Sequence, residues 1–295
     1  MNRLGPDAIK LGHSCVGVEQ NGVGVLVHFA NADSKAGVVA IAADGFHSVI
    51  RKQFYPSEGE PHFGGINMWR GVTRRKPFLS GASVTRIGTV SRGKITTYPI
   101  RQFDDGNQLI NWVTEQPRED LGLNDWAKPG YLEDFIEPFS DWQFDWLNIP
   151  ELFSDAEFIL EYPMVDRDPI DKWTFNRVAL MGDAAHPMYP RGGNGGAQAI
   201  LDAASLSRLL CELENPVAAL RSYEQERMAI TNKIVLTNRD QPPDYIIETV
   251  DKLTGGQPFE DIEDVIDPKQ LAAISNRYQK IAQYSHDLVG GKSEQ

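Results

Sequence analysis

The stretch from Arg177 to Ala203 constrains this chain more than any other part of it. Val178 to Met181 is a short apolar run bounded by turn signals, which predicts a buried strand. Gly182 to Gly196 holds five glycines and turn residues, so backbone there must approach something closely. Ala197 to Leu210 predicts a helix, with Ala, Leu and Ile recurring at helical spacing. A strand that opens through glycines into a helix offers backbone N–H groups and a positive dipole end to an anion. Asp183, at the end of the strand, is placed to accept hydrogen bonds from sugar hydroxyls. A loop that merely turns the chain is the plainer reading, but five clustered glycines carry an entropic cost that a simple turn does not require.

Gly182-Asp183-Ala184-Ala185-His186-Pro187, followed by Pro190, Gly192, Gly195 and Ala203, resembles the second FAD-binding motif of class A flavoprotein monooxygenases. These are the aromatic-ring hydroxylases similar to para-hydroxybenzoate and salicylate hydroxylases. The resemblance implies that Asp183 binds the ribityl or ribose region of FAD. It implies equally that Gly182, Pro190, Gly192, Gly193, Asn194, Gly195 and Gly196 form the loop and helix start beneath the flavin. Reduced flavin is anionic at its pyrimidine edge, where a helix start is stabilising.

A second stretch stands earlier. Ala43-Asp44-Gly45-Phe46-His47-Ser48-Val49-Ile50-Arg51 reads by itself as a strand end, a turn at Asp44-Gly45 and a helix opened by Ser48. Beside the later loop it resembles the family's other fingerprint, Asp-Gly-x-x-Ser-x-x-Arg, mapped to Asp44, Gly45, Ser48 and Arg51. That fingerprint serves FAD and the nicotinamide cofactor, and Arg51 is expected to face a phosphate with its planar fork.

At 295 residues the chain has room for one large or two ordinary domains. A net charge of −12 argues against nucleic acid or an anionic membrane as the main partner. Cys15 and Cys211 are too few for a disulfide framework and lack metal-type spacing. The six histidines show no metal spacing either, so no metal is expected. With no membrane-length apolar run and no secretory pattern at the start, the expected compartment is the cytoplasm.

The expected fold is mixed α/β, a Rossmann-like FAD/NAD(P)-binding domain with an inserted, mostly antiparallel substrate sheet and a helical C-terminal region. Residues 1–58 and 166–240 are assigned to the FAD-binding domain, 59–165 to the substrate sheet and 241–295 to a helical tail. Cys15–Gln20 and Gly24–Phe29 read as a hairpin around Asn21-Gly22, and Val38–Ala42 as a buried strand. Gly65–Val72, Ile95–Ile100, Gln108–Glu115 and Phe158–Val165 read as strands. Tyr131–Phe139 and Trp142–Leu152 read as helices with an acidic solvated face. Pro216 opens a long helix to about Asn238, stopped by Gln241-Pro242-Pro243. Two helical pieces follow, and Leu288–Gln295 reads as frayed. Arg3-Leu4-Gly5 reads as the end of a helix.

By the resemblance, the 59–165 sheet covers the flavin ring and forms an aromatic pocket, with Trp69, Arg70, Tyr98 and Trp112 as candidate wall residues. Each aromatic reads equally well as ordinary core. The Met68-Trp69-Arg70-Gly71-Val72 and Glu161–Pro169 stretches resemble the phenazine-modifying members, of the 5-methylphenazine-1-carboxylate 1-monooxygenase type. The implied activity is hydroxylation of a small aromatic substrate with O2 and NADH or NADPH through a flavin hydroperoxide. No side chain is assigned as acid, base or nucleophile, because the cofactor carries the chemistry. Homo-oligomerisation is left open.

The family's opening strand, Gly-x-Gly-x-x-Gly turn and helix are not found at the start of this chain. The expectation is an N-terminally truncated form or a partner-dependent subunit, with Val38–Ala42 left without strand neighbours. The alternative function is a non-catalytic fragment that holds no FAD alone. A flavin-dependent reductase or halogenase is a further reading that shares the FAD motifs, but the Trp-x-Trp-x-Ile segment and pocket lysine typical of a halogenase are not found.

Overall fold

The computed structural model describes residues 5, 8–119, 128–240 and 245–281. The expectations for Arg3-Leu4, Gln241-Pro242-Pro243 and Leu288–Gln295 lie outside the described residues.

The chain opens with β1 (Cys15–Gln20), β2 (Val25–Phe29), β3 (Lys35–Gly37), β4 (Ala40–Ala42) and helix α1 (Val49–Phe54). β1 and β2 form the antiparallel hairpin expected from Asn21-Gly22, with Val18 opposite Val27. The Asn21 side chain closes the turn by accepting from the Val23 and Gly24 amides, both at 2.9 Å.

Next come β5 (His62–Arg75), β6 (Thr85–Thr89), β7 (Gly93–Gln102), β8 (Gln108–Pro117), β9 (Lys128–Pro129), β10 (Gln143–Phe144), β11 (Leu147–Asn148), helix α2 (Ile149–Ser154) and β12 (Ala156–Asp166). The chain closes with β13 (Thr174–Phe175), β14 (Val178–Leu180), α3 (Asn194–Glu212), α4 (Pro216–Asp240), α5 (Tyr245–Thr254) and α6 (Pro268–Ile281). Among the described residues no helix is long and apolar enough to cross a membrane.

Two compact units result. One takes the described residues up to His62, those from Asp166 to Asp240, and 279–281; the other takes Phe63–Val165 with residues 245–278. The helices after residue 244 thus group with the sheet unit through residue 278.

In the first unit, β14 pairs with β13 on one side and in parallel with β4 on the other, Ala42 standing opposite Leu180. Val38–Ala42 therefore does have a strand neighbour, contrary to the expectation from the missing opening unit. Parallel pairing aligns the strands' C-terminal ends, so the chain leaves β4 toward Asp44 beside the point where it leaves β14 toward Gly182. Val178, Ala179 and Leu180 are wholly buried among Ile50, Trp173, Leu206, Leu220 and Tyr223. An all-apolar strand is what a position enclosed on both faces demands.

In the second unit, six strands join in the order β6-β7-β8-β5-β12-β9, with β5, β7 and β8 antiparallel. Residues opposite one another across these strands share a face. One face carries Trp69, Thr73, Ile95, Ile110 and Trp112, covered by Phe135, Phe139, Leu152 and Phe153. Tyr131–Phe139 and Trp142–Leu152 are not the two helices expected. They fold as short 3-10 turns at Leu132–Asp134 and Glu137–Phe139, the β10–β11 hairpin and the six-residue α2. Pro138 supplies no N–H to a helical ladder, and seating Phe135 and Phe139 on a flat sheet outweighs local propensity.

Candidate functional site

The first unit gathers both glycine-bearing motifs. Gly182 leaves β14 with φ +61°, and Gly192 and Gly193 follow with φ +73° and +66° immediately before α3. These left-handed conformations are ones that side chains with a Cβ rarely adopt. The N-cap of α3 is Gly193 itself, which contributes no side-chain hydrogen bond, and the first helical turn holds no acidic residue. The leading amides of a 19-residue helix are thus left without a side-chain cap. A Cβ at Gly193 or Gly196 would meet nothing within 4 Å, so these glycines leave bare backbone facing open space.

Asp183 stands beside this helix start, its Oδ1 3.6 Å from where a Cβ on Gly195 would lie. The carboxylate is open to solvent at its rim and makes no hydrogen bond or ion pair among the described residues. Crowding by surrounding protein pushes its pKa up, partly offset by the charge of nearby His186. A carboxylate without a hydrogen bond or ion pair among the described residues, next to a helix start with no side-chain cap and side-chain-free backbone, fits the sugar hydroxyls and anionic edge of FAD. Pro190 is exposed at the rim of the loop, whereas Asn194 is buried at the helix start.

The other fingerprint is spent differently. Asp44 accepts from Ser48 Oγ at 2.6 Å and from the Val49 amide at 2.9 Å, while Ser48 Oγ accepts from the Arg51 amide at 2.9 Å. Asp44 and Ser48 thus cap α1, and Gly45 takes φ +79° in the turn before it. An apolar cleft of about 390 Å³ lined by Cys15, Val27, Ile41 and Ile50 reaches Asp44.

Arg51 does not face open space where a phosphate would sit. It is 2 % exposed, and its guanidinium donates to the carbonyls of Ala184 and Ala185 at 3.1 and 2.8 Å. The rest of its fork goes to the Glu58 carboxylate and the Asp168 carbonyl. With its donors engaged, Arg51 acts as a strut under the Asp183 loop, and the expected phosphate contact is corrected to that role.

In the sheet unit the pleat splits the four candidate wall residues. Trp69 stacks on Phe135 at 5.3 Å, and the fully buried Trp112 donates through Nε1 to Thr73 Oγ1 at 3.1 Å. Both tryptophans belong to the aromatic core, not to a wall. Arg70 and Tyr98 lie on the opposite face with Asn111, Lys94 and Glu115. There the exposed Arg70 donates through Nε to Asn111 Oδ1 at 2.7 Å and also bonds Tyr162. Asn111 is wholly buried, and its Nδ2 has no hydrogen-bond partner among the described residues. Asn111 and Tyr162 escaped the sequence reading; their strand register with Arg70 and Tyr98 is a non-local property.

Also unforeseen was the cluster behind the loop. His186 and Asp202 are both fully buried, 2.6 Å apart, and Arg227 donates to Asp202 at 2.8 Å. The available signal was a charged residue, Asp202, in an otherwise Ala- and Leu-rich helix. Among the described residues no group of three or more His, Cys, Asp or Glu side chains is arranged to hold a metal.

Residues 156–238 match the model of a family described as FAD binding domain. The chain is 37% identical over 298 residues to a phenazine 1,6-dicarboxylic acid hydroxylase, PhzS, of Lysobacter antibioticus; the match takes in 96% of this chain and 70% of that protein. It is 30% identical over 245 residues to a 3-amino-4-hydroxybenzoate 2-monooxygenase, PtnB3, of Streptomyces platensis, covering 82% of this chain and 60% of that protein. Its fold is similar to that of a salicylate hydroxylase substrate complex, at TM-score 0.67 and 24% identity over 96% of this chain and 71% of that one.

Proposed function

Because the chain belongs to the FAD-dependent aromatic hydroxylases, we propose that it binds FAD on the 182–196 loop and hydroxylates an aromatic acid using O2 and NAD(P)H. The observation that carries the reading is Asp183, a carboxylate with no hydrogen bond or ion pair among the described residues, beside the start of α3, whose N-cap glycine supplies no side-chain bond. Bound FAD supplies electron transfer from the nicotinamide and activation of dioxygen.

The chain's own residues bind, orient and tune. Asp183 accepts hydrogen bonds from the ribityl or ribose hydroxyls, and the positive end of α3, its backbone free of side chains at Gly195 and Gly196, opposes negative charge on the ring. Arg51 holds the Ala184 and Ala185 carbonyls and so keeps that loop in place. Asp44, Gly45 and Ser48 shape the neighbouring turn and helix start, with the exposed Asp44 also available to a cofactor sugar. On the sheet, Arg70 is the anchor for a substrate carboxylate, aligned by Asn111, with Tyr98 and Tyr162 beside it. Two of the relatives act, by name, on aromatic acids, which supports that substrate class.

The test is the absorption spectrum of the purified chain, with and without added FAD. A flavin band that co-elutes with the protein, followed by NAD(P)H oxidation stimulated by aromatic acids, supports the reading. A colourless protein that ignores added FAD sinks it.

A further inference from the structure

Behind the 182–196 loop lies a closed polar cluster that none of the roles above uses. Asp202, wholly buried on α3, is met by His186, the Gly182 amide and Arg227, with the buried Tyr223 hydroxyl bonded to it as well. His186 meets its Oδ2 through Nε2 at 2.6 Å, the Gly182 amide meets the same oxygen at 3.2 Å, and Arg227 of α4 donates through Nε to Oδ1 at 2.8 Å. Arg227 is held in turn by Gln198 Oε1 at 2.5 Å. Burial alone would push the Asp202 carboxyl up, but the bonds from His186 and Arg227 win and hold it below the usual carboxylate range.

The cluster ties together the elements whose relative placement the loop depends on. Gly182 and His186 bracket Asp183, and the chain closes tightly between them, the Ala185 and His186 amides donating to the Gly182 carbonyl at 2.8 and 2.9 Å. A Cβ on Gly182 would lie 3.3 Å from Ala199 of α3, so the loop root already touches the helix. Asp202 supplies the polar bond across that contact. Losing one member of such a buried network leaves its partners unsatisfied; His186 is held through Nε2 alone, its buried Nδ1 having no hydrogen-bond partner among the described residues.

We propose that Asp202 is a positioning residue: by gripping His186 and the Gly182 amide against Arg227, it sets the place of Asp183 relative to the start of α3. The inference rests on the reading of 182–196 as the cofactor loop, but its first consequence concerns the loop itself. Ligand-contacting groups keep productive geometry only when their supporting bonds fix them.

The experiment compares Asp202→Asn, His186→Ala, His186→Gln and a control, Glu224→Gln, in the full chain. Glu224 is another carboxylate of the same unit; it accepts from the Trp173 and Thr174 amides and does not touch the loop. Amide hydrogen exchange across 182–196 is followed without FAD, and FAD affinity is followed by quenching of flavin fluorescence. Asp202→Asn and His186→Ala are each expected to speed exchange at the 182–186 amides roughly tenfold. Each is expected to weaken FAD binding on the order of tenfold, and Asp202→Asn combined with His186→Ala to be no worse than either alone. His186→Gln, which keeps a donor toward Asp202, restores most of both. Glu224→Gln lowers Tm while leaving loop exchange and FAD affinity in place. If Asp202→Asn does not fold, the His186 pair decides. Loop exchange that is unchanged, or that tracks Tm equally in all four variants, overturns the proposal. If the parent chain takes up no FAD, the cofactor reading falls, and exchange alone still decides the positioning role.

Discussion

Trp69 and Arg70 are consecutive in the chain and serve opposite faces of one sheet. Trp69 lies in the aromatic core against Phe135, while Arg70 reaches Asn111 on the other side. Period-two alternation imposes this, and it separates two residues that a linear reading places in one pocket.

Substitutions at the two faces should therefore fail in different ways. Trp112→Ala is expected to cost about 3–5 kcal/mol of stability through the cavity it opens. Arg70→Ala leaves the Oδ1 of the buried Asn111 without its donor and should cost about 1–2 kcal/mol, less than the Trp112 cavity. It should also raise KM for an aromatic acid by roughly tenfold or more through loss of a charge-assisted bond. Thermal melts paired with steady-state kinetics on the FAD-loaded protein check this, and a large drop in Tm for Arg70→Ala would contradict the assignment.

Gly71 is required by what lies over it. A Cβ there would sit 2.3 Å from the Trp112 ring and 2.8 Å from the Phe158 carbonyl oxygen. Gly71→Ala is expected to destabilise by about 2–3 kcal/mol, because neither a wholly buried indole nor sheet backbone gives way cheaply. Denaturant titration measures it; a neutral result would mean the ring is free to move.

Arg51→Ala should behave as loss of a strut. It frees the Ala184 and Ala185 carbonyls and leaves Glu58 partly buried beside Arg167 alone. Breaking such a pair costs about 3–5 kcal/mol when fully buried, and Glu58 is 17 % exposed, so the lower end is expected. The unfolding midpoint in urea reads it directly. Arg51→Lys should recover little, since one ammonium cannot replace a fork that serves several acceptors.

Asp183 should show opposite signs for stability and cofactor retention. Its carboxyl is held above the ordinary 3.8, so the folded chain binds its proton more tightly than the unfolded chain does. Stability of the FAD-free protein from this group is then full below 3.8 and declines as pH rises through the raised folded value. Asp183→Asn is predicted to remove that decline in a pH series of thermal melts while lowering FAD occupancy after dialysis. Equal occupancy in parent and variant would count against Asp183 as a flavin ligand.

Glu161 has the reverse sign. Burial opposes its charge, but hydrogen bonds from Lys128, Arg118 and Asn67 prevail and hold its pKa below the ordinary 4.5. Its contribution is present above 4.5 and is lost as pH falls through the lowered folded value. Glu161→Gln should flatten the acid limb of the stability profile in the sheet unit. An unaltered limb would assign acid unfolding to other carboxylates.

The parts of this protein legible in its sequence are those specified over a few residues. Val178–Leu180 is apolar because it is enclosed, Asn21-Gly22 turns a hairpin, and the glycines of 182–196 admit backbone conformations other residues resist. Periodicity found α3 and α4, and the resemblance of the two motifs pointed to the family. What the sequence left open was set by contacts between distant residues. Arg51 reads as a phosphate ligand in its motif, yet carbonyls more than 130 residues away claim it. Tyr131–Leu152 has helical spacing, yet burying Phe135 and Phe139 against the sheet breaks it into turns. Asp202 and His186, sixteen residues apart, become one buried unit only after α3 closes on the loop. Propensity and backbone freedom act locally and can be read along the chain, whereas strand register, burial and the satisfaction of buried polar groups depend on the folded whole.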